Sequence, residues 1–194
     1  MDYMKEIEKM VHDSNLMNSY KLYFLKAIIM KISSDNNEFK FYELACWMCA
    51  YAFNDLCKLG SRIRPLDKLY DTILLIIDKE GLLESSNPLE VFNALQTNDK
   101  HVRNAVTKLV NYVPYRLLAY LWSKELRGKK DVLKNGLIEM YSKENGRNMY
   151  MIVTNGKSRI IIVHLSWKRY LVENQEKLIP WIDNRIKQFV WNKD

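Results

Sequence analysis

The sequence predicts a mainly α (α+β) fold: a compact multi-helix domain with one small antiparallel β-hairpin near residues 149–163. Three observations predict it. Only six glycines and four prolines punctuate 194 residues, and between them lie long runs whose apolar residues recur at the three- and four-residue spacing of a buried helix face. Late in the chain the period changes, because "MYMIVTNGKSRIIIV" places two β-branched runs around Asn155-Gly156, a strong hairpin signal. The chain is also 48% hydrophobic and 12% aromatic, enough at this length to bury a sizeable core. No internal repeat or low-complexity tract interrupts it.

Taken in order, residues 2–12 read as a short amphipathic helix, and "DSNLMNSY" then supplies side chains that cap the next one. "YKLYFLKAIIMKI" sets Leu22, Leu25, Ile28, Ile29 and Ile32 on a buried face and Lys21, Lys26 and Lys31 on the wet side. "SSDNNE" ends it as a loop. "FKFYELACWMCAYAFNDLCKLG" is apolar nearly all round, which marks the hub of the core, closed by Gly60 as a C-cap. In "SRIRPLDKLYDTILLIIDKEG" Pro65 opens a helix and Gly81 closes it, with Leu66, Leu69, Ile73, Leu74 and Ile77 as the buried stripe. Asn87, Pro88 and Glu90 have the spacing of a capping box. A helix from about Asp99 buries Val102, Val106, Leu109 and Val110.

Pro114 disfavours helical geometry at Val113, so the apolar "LVNYVPYRLLAYLW" divides into the end of one helix and the start of another. The basic tract "SKELRGKKDVLKNG" follows, ended by Gly136, and "LIEMYSKENGRN" adds one more short helix. Beyond the hairpin the tail reads as two helices broken near Pro180. The expected division is a helical core over 1–122 and a basic segment with the hairpin and two C-terminal helices over 123–194, or one continuous domain over 1–194.

Composition excludes several classes. Lysines or Arg116 interrupt the apolar runs well short of the roughly 20 residues a spanning helix needs. "MDYMKEIEKMVHD" has no basic region followed by an apolar one, so a cytoplasmic protein with no membrane contact is expected. Cys46, Cys49 and Cys57 share one helical run. Their C-x-x-C spacing suits zinc or redox chemistry, yet no second pair or H-x-x-x-H completes about four ligands. Buried, reduced thiols are expected, with no metal and no cofactor. His12, His101 and His164 are isolated in sequence, and no hydrolase, phosphate-loop or metalloprotease motif accompanies them, so no catalytic residue is assigned.

The net charge of +7 is unevenly spread. Residues 1–100 carry 12 Lys/Arg against 15 Asp/Glu, and residues 101–194 carry 18 against 8. A field of that sign gathers polyanions, with a merely solubilising surface as the alternative. Lys124, Arg127, Lys129 and Lys130, with Lys157 and Arg159 at the hairpin turn, are the expected contacts to nucleic-acid phosphates. Arg116 stands among Tyr112, Tyr115, Tyr120 and Trp122; pairing with an acid or a helix carbonyl is expected, and binding is open if its guanidinium faces out. Trp181 and Trp191 make the tail more aromatic than its own packing requires, which suits docking of a partner or a second copy.

The phrases "NSYKLYFLKAII", "CWMCAYAFN", "DKHVRNAVTKLVNYVPYRLL" and "IIIVHLSWKRYLVEN" together resemble the helical N-terminal region of bacterial HNH endonuclease-type proteins, over most of residues 15–180. The resemblance implies a fold and a setting in restriction or phage defence. It carries over no catalytic residue, because the His/Asn nuclease motif does not occur within these 194 residues. The expectation is thus a nucleic-acid-binding recognition or regulatory module of a nuclease-linked defence system. Two alternatives are a protein-interaction module that docks or regulates a separate effector, and a metal-dependent nuclease with an unrecognised site.

Overall fold

The computed structural model describes residues 1–12, 14, 16–59, 68–144, 146–156 and 158–191, leaving aside the side chains of residues 59 and 191. It is mainly helical with one small antiparallel sheet. The helices are α1 (Tyr3–Met10), α2 (Tyr20–Lys31), α3 (Phe41–Leu59), α4 (Lys68–Glu80), α5 (Pro88–Ala94), α6 (Lys100–Leu109), α7 (Val113–Leu118), α8 (Ser123–Leu126), α9 (Asp131–Glu144), α10 (Leu165–Glu173) and α11 (Gln175–Trp191). A 3-10 turn, Ala119–Trp122, joins α7 to α8. The strands are β1 (Glu38–Lys40), β2 (Tyr150–Asn155) and β3 (Ser158–Val163), in spatial order β1-β3-β2.

Helix boundaries follow local chemistry. The Asn87 side chain accepts from the Leu89 and Glu90 amides while Glu90 accepts from the Asn87 amide, a complete capping box that satisfies donors left over at a helix start. Asp99 caps α6 in the same way through His101 and Val102. Gly81, at φ 64°, closes α4 in the left-handed region. The Gly60 cap, the Pro65 opening and Leu66 lie outside the described residues.

α3 is the hub, packing against α2, α4, α5 and α6 and touching the sheet through β1 and β3. Its Cys46 and Cys49 are buried free thiols; burial pushes Cys46 up to about 12 and Cys49 well above the ordinary thiol range, so neither is a ready nucleophile or ligand. α2 is buried on nearly every side, Tyr23 and Phe24 included. The lysines expected on its wet side are covered in part. Lys26 Nζ lies 2.7 Å from Asp183 of α11, and Lys31 Nζ sits 4.0 Å from the Trp47 ring centroid, since lysine stems lie along apolar surface while the ammonium keeps a polar or aromatic partner.

The hairpin forms as expected, with Asn155 paired to Ser158 and Gly156 at φ 58° in the turn. Four other expectations need correction. Residues 38–40 form β1, although the sequence reads Glu38 as the end of a loop and Phe39 and Lys40 as the start of the hub helix: Phe39 pairs with Ile161 and is buried, with Glu38 and Lys40 exposed on the other side. Gly136 does not end a helix, because α9 runs through it; nothing crowds that position, and packing of α9 on β2 outweighs the roughly 1 kcal/mol an interior glycine costs. The tail breaks at Asn174, whose amide donates to the Tyr170 carbonyl, while Pro180 stays inside α11. There the lost backbone bond is offset by burial of Leu178, Ile182 and Ile186 on a helix packed along α2. In α4 the buried stripe is Leu69, Thr72, Ile73 and Ile76, and Leu74 is exposed.

One apolar core runs from Ile7 to Ile186, and the sheet joins residues 38–40 to residues 158–163. Tyr3 of α1 packs edge-on to Trp167 and stacks on Tyr170, both of α10. Among the described residues no helix is long and apolar enough to cross a membrane.

Candidate nucleic-acid interface

The chain from α6 to α9 carries several exposed cations. Val110, buried, ends α6, and Tyr112, exposed, precedes Pro114 in the first turn of α7. Tyr150 is buried and its hydroxyl donates to the Pro114 carbonyl at 2.6 Å, which ties this joint to the sheet. Leu126, also buried, fixes α8 on the core, and Gly128, at φ 75°, turns the chain sharply into α9. Lys124, Arg127, Lys129 and Lys130 all project from that turn into solvent. Among the described residues none of the four forms an ion pair.

Arg116 borders the same turn. Its Nη2 lies 3.1 Å from Asp131 Oδ2 at the start of α9, and its guanidinium sits 4.9 Å from the Tyr112 ring centroid. It therefore pairs with an acid, as expected, and it also faces solvent, since its side chain and that of Asp131 are each 49% exposed. An exposed pair of this kind contributes little to stability, so Arg116 keeps the freedom to engage an anion.

Arg159, expected at a nucleic-acid phosphate, makes contacts within the protein. Its Nη2 donates to Asn111 Oδ1 at 3.1 Å, and its guanidinium lies 5.0 Å from the Phe41 centroid. It is a half-buried clamp between β3, α3 and the α6–α7 joint. Lys157 lies outside the described residues. Trp181 is half-buried and packs against the core, and the Trp191 side chain also lies outside the described residues.

Sequence reasoning missed two cations, Lys21 and Lys108. Between the start of α2, the end of α6 and α7 runs a groove of about 330 Å³ lined by Lys21, Lys108, Arg116, Tyr20, Tyr112 and Asn18, among others. No acidic residue is among its described lining. Burial, and then the Arg116 guanidinium, lower the Lys21 ammonium to about 8. A larger hollow of about 830 Å³ shares Tyr20, Lys108, Leu109 and Tyr112 with the groove. Residues 87 positions apart in sequence meet here, and no local pattern signals that.

His164 precedes α10 with Nε2 3.2 Å from the buried Asn148 amide, and burial lowers its pKa. Among the described residues no three His, Cys, Asp or Glu side chains gather closely enough to hold a metal ion. Comparison with protein-family models, with curated proteins and with solved structures finds no match to this chain.

Proposed function

We propose that this chain is a nucleic-acid-binding recognition or regulatory module, working in the cytoplasm beside a separate nuclease or other effector of a bacterial restriction-like defence system. The observation that carries the binding role is the α8–α9 turn, where Lys124, Arg127, Lys129 and Lys130 extend together without an ion-pairing acid among the described residues. Backbone phosphates are the ligand that such a set suits, because each cation that meets a phosphate releases condensed counterions. The resemblance to the helical region of HNH endonuclease-type proteins supplies the defence setting.

Fluorescence anisotropy with labelled single- and double-stranded oligonucleotides, titrated at several salt concentrations, tests the reading. Affinity should fall steeply with salt, and Lys129→Gln combined with Lys130→Gln should reduce the log–log slope by about 2. Salt-independent binding, or none at low salt, overturns it.

A second reading, a protein-interaction module, is favoured by Val132 and Leu133, which are 79% and 60% exposed at the start of α9 beside the basic turn. If an apolar partner covers them, Val132→Ser with Leu133→Ser should abolish self-association measured by light scattering, or capture of a co-encoded effector, while leaving oligonucleotide affinity intact.

A further inference from the structure

We infer that the groove between α2, α6 and α7 is a terminal-phosphate site: it takes a phosphomonoester carried on a nucleoside, with Lys21, Lys108 and Arg116 around the phosphate and Tyr112 beside the base or sugar. This rests on, and deepens, the nucleic-acid reading above. Three cations from three separate helices line one recess, and no described residue of the lining is acidic. Arg116 shares its charge with Asp131, so among the described residues the recess offers close to two positive charges without a paired acid, which matches a phosphomonoester dianion better than a singly charged backbone phosphodiester. Its volume of about 330 Å³ accommodates roughly one nucleotide. Tyr112 is 42% exposed and holds the Arg116 guanidinium over its ring, which puts an aromatic side chain beside the cations for stacking. The lowered Lys21 pKa agrees, because an ammonium repelled by Arg116 in a half-buried site gains from an incoming anion.

The groove also lies next to the basic turn. Arg116 contacts Asp131, the residue that follows Lys130, so a strand whose backbone crosses the α8–α9 turn can bring its end to the groove. Recognition would then be divided: the turn holds the strand without regard to its terminus, and the groove distinguishes a phosphorylated end from a hydroxyl end.

Anisotropy competition with three otherwise identical single-stranded oligonucleotides, bearing a 5′-phosphate, a 3′-phosphate or hydroxyl ends only, tests this, with adenosine monophosphate and adenosine as further competitors. A phosphorylated end should bind about tenfold more tightly than the hydroxyl form. Lys21→Gln with Lys108→Gln should remove that preference and retain basal binding; Lys129→Gln with Lys130→Gln should weaken all forms and retain the preference. Acetylation of the Lys21 amine in the unaltered protein, followed by mass spectrometry, gives a readout independent of the variants: the phosphorylated oligonucleotide should slow it, and the hydroxyl form should not. Equal affinity for all three ends with no selective protection of Lys21 overturns the inference and leaves nucleic-acid binding standing. Binding of adenosine monophosphate over adenosine, without binding of any oligonucleotide, supports the groove as a free-nucleotide site and overturns the proposed function. Binding of none of these probes overturns both.

Discussion

Lys21 carries its charge at a cost. Its folded pKa is about 8 against an ordinary lysine value of 10.5, first from burial and then from Arg116. Between those values the unfolded chain binds a proton that the folded chain has released, so this group makes stability rise with pH across the window from 8 to 10.5. Below pH 8 the full charging cost is present. The buried thiols and tyrosines act with the opposite sign as pH rises, because burial raises their pKa values, so the measurement must be a difference between two proteins. Lys21→Met should be more stable than the unaltered chain at pH 7, and the gap should close toward pH 10 in urea unfolding followed by circular dichroism. A gap constant across that range would show that Lys21 titrates as an ordinary lysine. Arg159 provides the converse case. Removing it as Arg159→Ala deletes the Asn111 hydrogen bond and the Phe41 contact, at about 1–3 kcal/mol by thermal unfolding, with the salt slope of oligonucleotide binding unchanged. Both residues looked like surface cations in the sequence. Asn87, Asp99, Gly81 and Pro114 were legible because a cap or a breaker acts within four residues, whereas the environments of Lys21 and Arg159 depend on partners far along the chain.

At the scale of elements, α9 is the clearest example of packing overriding a local signal. Its Ser142 hydroxyl accepts from the Ile152 amide, and its Glu139 carboxylate accepts from the amide and hydroxyl of Thr154, so the helix satisfies donors on the outer edge of β2. Those contacts hold the helix together across Gly136, where the sequence reads as an ending. An added Cβ at Gly136 meets nothing within 4 Å and the backbone there is helical, so Gly136→Ala should stabilise the protein by about 0.5–1 kcal/mol. Gly128 also has open space around it, yet its φ of 75° lies in the left-handed region, so Gly128→Ala should destabilise by about 1–2 kcal/mol and weaken oligonucleotide binding through the basic turn. Opposite shifts in melting temperature for the two variants check the pair. β1 was illegible for a related reason. Three residues of alternating pattern, followed at once by a strong helix, carry too little local signal, and β1 exists because β3, more than 100 residues later, offers it an edge.

At the scale of the whole molecule, the charge count by halves points to the exposed α8–α9 turn and misses how the groove is assembled. Lys21 belongs to the acidic half of the sequence and lines the groove beside Arg116 and Lys108 of the basic half. The same interleaving governs folding. β1 pairs with β3, α11 packs along α2, Gln175 donates to the Ile29 carbonyl, Arg185 reaches the Val11 carbonyl, and Tyr120 donates to Glu6 across 114 residues. A chain cut after Trp122 keeps α3 and α7 against α2 but loses α11 and β3, so part of the apolar surface of α2 and of β1 is exposed and only part of the burial that offsets chain entropy remains. The prediction is that residues 1–122 alone show no cooperative thermal transition and bind a hydrophobic dye, that residues 123–194 alone behave likewise, and that mixing the two restores a transition whose midpoint depends on concentration. A sharp, concentration-independent transition in either fragment would instead identify an autonomous domain and separate the basic turn from the groove in folding as well as in sequence.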